Sequence, residues 1–214
     1  MIQNIIREVE ASLKWSVVKV PSGWQYEIIS SPTRKMHHIL CPTISPRPIE
    51  YLHELAHASL AERHHLFSTA YLHPEITPEE YKVVMYPFRA ASDWYADHLL
   101  MVWCPNEEKT EIEKHIGYVN HLAQEKTAID AQRLYIGALM HAQGVKYCRH
   151  NERRVPAVFK PVTQTILAVD PGKPTLKHKQ DLVNSLLAHT SQLRIRLAQH
   201  EGLDVWQVYT EKKS

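Results

Sequence analysis

Pro48-Ile49-Glu50-Tyr51-Leu52-His53-Glu54-Leu55-Ala56-His57 is the stretch on which the fold turns. Its last five residues have the spacing H-E-x-x-H. On an α-helix, residues four apart stand one above the other on the same face, so His53 and His57 can grip one ion. Glu54, next to the first of them on the turn, can reach a water on that ion and act as general base. Ile49, Leu52, Leu55, Ala56 and Leu60 recur at helical intervals and give the segment a buried stripe. Ser45-Pro46-Arg47-Pro48 marks its start, because proline is tolerated in a first helical turn. The chain has 15 histidines in 214 residues, so a chance match is not negligible and the flanking sequence must supply the context.

Upstream, Met36 to Cys41 reads as a short strand. Strand, proline-rich turn and H-E-x-x-H helix follow in the order a zinc peptidase needs, since an edge strand beside the metal can align an extended substrate. A catalytic zinc site takes three protein ligands and an open position. The longer metzincin pattern would want Gly at 60 and His at 63, where the chain has Leu60 and Arg63. His64 is off by one and His73 lies in a loop before Pro74. Asp93 in Ala91-Ser92-Asp93-Trp94-Tyr95-Ala96-Asp97-His98 is the better third ligand, with His98 in reserve. Asp93 and Asp97 are again four apart; one carboxylate could bind metal while the next accepts the N–H of a ligating histidine, fixing its tautomer.

With both segments in view, the chain resembles the gluzincins, H-E-x-x-H followed by E-x-x-x-D. Ala96-Asp97-His98-Leu99-Leu100-Met101 with Pro105 is similar to a stretch of the ImmA/IrrE-type metallopeptidases, compact minigluzincin domains of bacteria and mobile elements. The resemblance covers about residues 1–105 and implies zinc on His53, His57 and Asp93, Glu54 as base, and Asp97 orienting His53 or His57. It further implies a phage, prophage or stress-response setting and a protein or peptide substrate. The family's third ligand is usually Glu. Asp93 is shorter by one methylene, roughly 1.5 Å of reach, so the second helix must sit closer. A developing oxyanion would need a donor besides zinc; Tyr71, Tyr81, Tyr86, Tyr95 and His73 stand between or beside the two helices in sequence.

Composition bounds the rest. The chain is 44% hydrophobic with six glycines, which suits a packed core and not a turn-rich β-sandwich. A net charge of +2 with neutral histidines gives no argument for nucleic acid. The basic run Arg149-His150-Asn151-Glu152-Arg153-Arg154 reads as a solvated loop. Cys41, Cys104 and Cys148 are odd in number and widely spaced, which fits free thiols in a reducing compartment. Arg7-Glu8 falls too early for a signal peptide, and no apolar run approaches the roughly 20 residues that span a bilayer. A cytoplasmic protein without a membrane partner is expected.

The pattern predicts an α+β fold, mostly α. Residues 2–14 read as a helix, and Val17–Val20 and Trp24–Ile29 as strands joined by the Pro21-Ser22-Gly23 turn. With 36–41 they make a three-stranded sheet on the zincin-type helices. Thr77-Pro78-Glu79-Glu80 starts the second helical region, which Pro87 kinks or divides. Residues 1–105 form the zinc-binding domain, and 106–214 a helical region packed on it, with helical period over 106–124, 128–147, 155–169 and 175–199. Three readings remain: a soluble zinc metallopeptidase; a zinc-binding regulatory or interaction protein of the same fold with little catalysis; and a metal-free helical protein.

Overall fold

The computed structural model describes residues 2–68, 71–124 and 129–211. The chain is α+β and mostly helical. Helix α1 (Ile2–Ser12) precedes strands β1 (Ser16–Ser22), β2 (Glu27–Ser31) and β3 (Met36–Pro42). Helices α2 (Pro48–Arg63) and α3 (Pro78–Trp103) follow, separated by a 3₁₀ turn at His65–Phe67. Helices α4 (Pro105–Gln124), α5 (Ala131–Tyr147), α6 (Lys160–Leu167) and α7 (Leu176–Leu187) come next, then strands β4 (Leu193–His200) and β5 (Leu203–Thr210).

The sheet order is β1-β3-β2, with β1 parallel and β2 antiparallel to β3. Two expectations change here. The strands around Pro21-Ser22-Gly23 do not pair with each other, because β3 inserts between them. Strand β3 is therefore central, and β1 and β2 are the two edges. Alternation explains the centre: His37, Ile39 and Pro42 of β3 are buried. Within that layer His37 Nδ1 meets the Ser30 hydroxyl at 2.8 Å and its Nε2 faces Glu62 at 3.3 Å.

Helix α2 starts on Pro48 and buries Tyr51, Leu52, Leu55, Ala56, Ala58, Leu60 and Ala61. Helix α3 starts on a capping box: the Thr77 hydroxyl accepts from the Glu80 amide, and the Glu80 carboxylate accepts from the Thr77 amide. It then runs through Pro87 without dividing. A proline inside a helix costs about 3 kcal/mol through its missing donor. Here Pro87 is buried in a helix whose Val84, Phe88, Ala90, Ala91, Trp94 and Tyr95 are buried as well, and that packing offsets the loss.

The second half is less helical than its period implied. Only Lys160–Leu167 of 155–169 is α-helix, and the helix over 175–199 ends at Leu187. Residues 193–210 form an antiparallel hairpin instead. Its turn places Glu201 at φ 48° and Gly202 at φ 78°, the two left-handed positions of a tight hairpin turn. For the expected helix over 128–147, Asp130 caps the first turn and residue 128 lies outside the described residues.

One buried cluster joins both halves, from Ile6 and Val9 of α1 to Trp206 of β5. Trp206 is fully buried, and its Nε1 donates to the Leu66 carbonyl at 3.0 Å. Lys179 of α7 is buried too; its ammonium donates to the carbonyls of Leu66 and Phe67 at 2.9 and 2.7 Å. The chain leaving α2 is thereby tied to the C-terminal half. No helix among the described residues is long and apolar enough to cross a membrane.

Candidate metal centre

Helices α2 and α3 pack side by side and turn the two motifs toward each other. His53, His57 and Asp93 each offer one donor atom, and these atoms all lie within 4.8 Å of one another. His57 Nε2 stands 3.0 Å from His53 Nε2 and 3.2 Å from Asp93 Oδ1. His53 Nε2 lies 3.8 Å from the same oxygen. The group can hold a metal ion.

The supports are as specific as the donors. His53 Nδ1 meets Asp97 Oδ1 at 2.8 Å, which places its proton on Nδ1 and leaves the Nε2 lone pair toward the cluster. Asp97 is buried, and its other oxygen accepts from Gln143 of α5, itself 1% exposed. Gln143 is a residue that sequence reasoning missed; no local pattern marks a lone glutamine in a helix as the partner of a carboxylate 46 positions earlier. Burial opposes a charged His53, yet Asp97 and Asp93 outweigh it and raise its pKa well above the usual histidine range. Asp93 is lowered: burial works against its charge, but its bonds to His53 and His57 prevail. Free of metal, His53 thus carries a second proton; its release leaves the neutral ring, with Nε2 turned to His57 and Asp93, to offer a lone pair to a cation.

Two adjoining cavities meet at the cluster. The first, of about 220 Å³, holds His53, Glu54, His57 and Asp93 together with residues 25–28 and Ser30 of the β2 segment and Arg89 of α3. Among the described residues, no ion pair or hydrogen bond engages the Arg89 side chain. The second, of about 420 Å³, runs from His53, Glu54 and Asp93 between the ends of α2 and α3 and the faces of α4 and α5. Glu54 is common to both, beside the donors.

The reserve ligands are elsewhere. His98 Nδ1 faces the Tyr147 hydroxyl at 3.0 Å, His64 Nε2 faces Asp204 at 3.2 Å, and the His73 ring packs edge-on against His200. None of the expected oxyanion donors lines either cavity. Tyr71 donates to the Ser30 carbonyl at 2.6 Å, Tyr86 donates to Gln132, Tyr95 is buried in the core, and Tyr81 and His73 lie away from the donors. Arg89 lines the first cavity instead. It stands four residues before Asp93, so it shares that face of α3, a spacing that the sequence did contain.

The basic run of 149–154 forms a surface turn with Arg149, Arg153 and Arg154 exposed. The three cysteines are free thiols. Comparison with known proteins adds nothing to this geometry: no protein-family model, no curated protein and no solved structure matches the chain.

Proposed function

We propose that the protein is a zinc-dependent metallopeptidase that hydrolyses a peptide bond in an intracellular protein or peptide. The observation that carries this is the convergence of His53, His57 and Asp93 in one cavity with Glu54. Two imidazole nitrogens, one carboxylate oxygen and an open side make a catalytic zinc set. Donors on tetrahedral arms of about 2.0–2.2 Å lie roughly 3.4 Å apart, and the separations of 3.0, 3.2 and 3.8 Å bracket that value. When bound there, zinc supplies a water of pKa near 7 and polarises a carbonyl.

The chain's own groups do the rest. Glu54 takes the proton of the attacking water and returns it to the leaving amine. Asp97 keeps the His53 ring in one tautomer and orientation. Strand β2, unpaired on one side among the described residues, offers its backbone to an extended substrate, and its segment lines the cavity. Arg89 faces the same space and can donate to the developing oxyanion.

Glu54→Gln tests the reading. The amide cannot accept the proton, so zinc should remain near one per chain while hydrolysis of a peptide library falls by about 10²–10⁴-fold. Cleavage at the wild-type rate would overturn the mechanism. A biological effect that survives in this variant, with zinc retained, would favour a zinc-binding regulatory protein.

A further inference from the structure

The larger cavity holds a buried carboxyl group that the metal centre does not use. Glu108 of α4 lines it and is only 5% exposed. Among the described residues its carboxylate has neither a hydrogen bond nor an ion pair. Of the other carboxylates of this wall, Glu54 stands beside the metal donors and Asp93 is one of them. Glu50 and Glu111 share Arg47, and Asp97 is held by His53 and Gln143. Burial first, then the nearby charge of Asp97, pushes the pKa of Glu108 up to about 8, so the group keeps its proton when alone and ionises beside a cation.

We propose that this cavity receives a lysine or arginine side chain of the peptide substrate, with Glu108 holding its cationic head. The assignment rests on the peptidase reading for the word substrate, while the pocket itself rests on Glu108 and its surroundings. Ile49, Leu100, Ile112, Leu139 and Met140 supply apolar wall along the way from the metal donors. Such a wall suits the methylene stem of a basic side chain, which packs on apolar surface while its head seeks charge. The volume of about 420 Å³ falls within the roughly 300–1,000 Å³ of ligand pockets. Arg89, in contrast, faces the smaller cavity on the other side of the donors. The two cavities thus differ, with a carboxyl of α4 in the larger and the Arg89 guanidinium, from the middle of α3, in the smaller. The same ammonium chemistry could come from a peptide's α-amine; the apolar lining favours a long side chain, whose methylenes it can cover.

The test is calorimetric titration of the zinc-loaded full chain with four probes: N-acetyl-lysine methylamide, N-acetyl-arginine methylamide, N-acetyl-norleucine methylamide and norleucine methylamide with a free α-amine. Hydrogen bonds to charged groups are worth about 1.5–3 kcal/mol, or roughly 10–100-fold. The lysine and arginine probes should bind at least about tenfold more tightly than acetyl-norleucine, and Glu108→Gln should erase that advantage at unchanged zinc content. Met140→Trp, which narrows the cavity from α5 and leaves Glu108 in place, should weaken both basic probes. Equal affinity for lysine and norleucine, or selectivity unchanged in Glu108→Gln, would overturn the proposal. Tight binding of free-amine norleucine alone would overturn the side-chain assignment in favour of a peptide N-terminus. Glu108-dependent selectivity in a protein that cleaves nothing would retain the pocket and remove the peptidase; cleavage with no basic preference would do the reverse.

Discussion

His53 turns its Nδ1 to Asp97, one turn of α3 beyond Asp93, at 2.8 Å, while its Nε2 lies 3.0 Å from that of His57. The same imidazole is therefore fixed from behind and aimed forward. Gln143 secures Asp97 from a third helix, so the donor set depends on α2, α3 and α5 together.

That relay predicts a graded loss of metal affinity. Asp97→Ala should weaken zinc binding about 10–100-fold, as removal of such outer partners typically does. Asp97→Asn should recover part of it, because the amide oxygen can still accept from Nδ1. Gln143→Leu should cost less than Asp97→Ala. Competition against a chromophoric chelator measures all three; unchanged affinity in Asp97→Ala would refute the relay.

Asp93 should be needed as aspartate. Asp93→Ala should lose zinc, measured as metal per chain by elemental analysis. Asp93→Glu should also bind about tenfold or more weakly, since catalytic zinc needs its donors at about 2.0–2.2 Å and α3 already stands at the reach of Asp. Zinc retained in Asp93→Ala would place the third ligand elsewhere.

His141 gives the fold a pH dependence. It is 5% exposed, its Nε2 has no hydrogen-bond partner among the described residues, and burial first, then the charge of His150, push its pKa down to about 4. The unfolded chain, near 6.5, then binds more protons than the folded one between those values. Stability from this group is full above pH 6.5, declines as pH falls, and is lost below about 4; the total is on the order of 3 kcal/mol. Urea melts from pH 4 to 7 should show the slope, and His141→Leu should flatten it.

Lys179→Met should destabilise the chain by about 1–3 kcal/mol. The Leu66 carbonyl keeps the Trp206 indole as donor, but the Phe67 carbonyl loses its ammonium. Trp206→Ala should cost more, about 3–5 kcal/mol, because the side chain is fully buried. Equal denaturation midpoints for Lys179→Met and wild type would show that the amine is dispensable.

The thiols should react slowly. Burial pushes Cys104 up to about 12 and Cys148 up to about 11, and raises Cys41 as well. At pH 8 a disulfide reagent should modify Cys104 only on unfolding. Rapid modification of all three in the folded protein would contradict that burial.

How much of this was legible varies with the range of the interaction. The spacing of His53 and His57, and of Asp93 and Asp97, encodes faces of helices, because 3.6 residues per turn is a local rule. The capping box at Thr77 and Glu80 is equally local. Residues 193–199 misled because Leu193 and Leu197 also satisfy a helical interval, although Leu193, Ile195 and Leu197 alternate as a strand. Glu201-Gly202 is a weaker turn signal than Asn-Gly. Pro87 does not divide the helix, since a local penalty was outweighed by the burial of the residues around it.

The sequence by itself determined two helix faces bearing two imidazoles and two carboxylates, the free cysteines and an α-rich class, since each follows from composition or short-range period. Only the tertiary structure decided which strand became central, that Gln143 holds Asp97, that Arg89 rather than a tyrosine lines the cavity of the donors, and that Glu108 lacks a hydrogen-bond partner among the described residues. Those pairings join residues far apart in the chain, and their energies depend on desolvation, which exists only once the helices have packed.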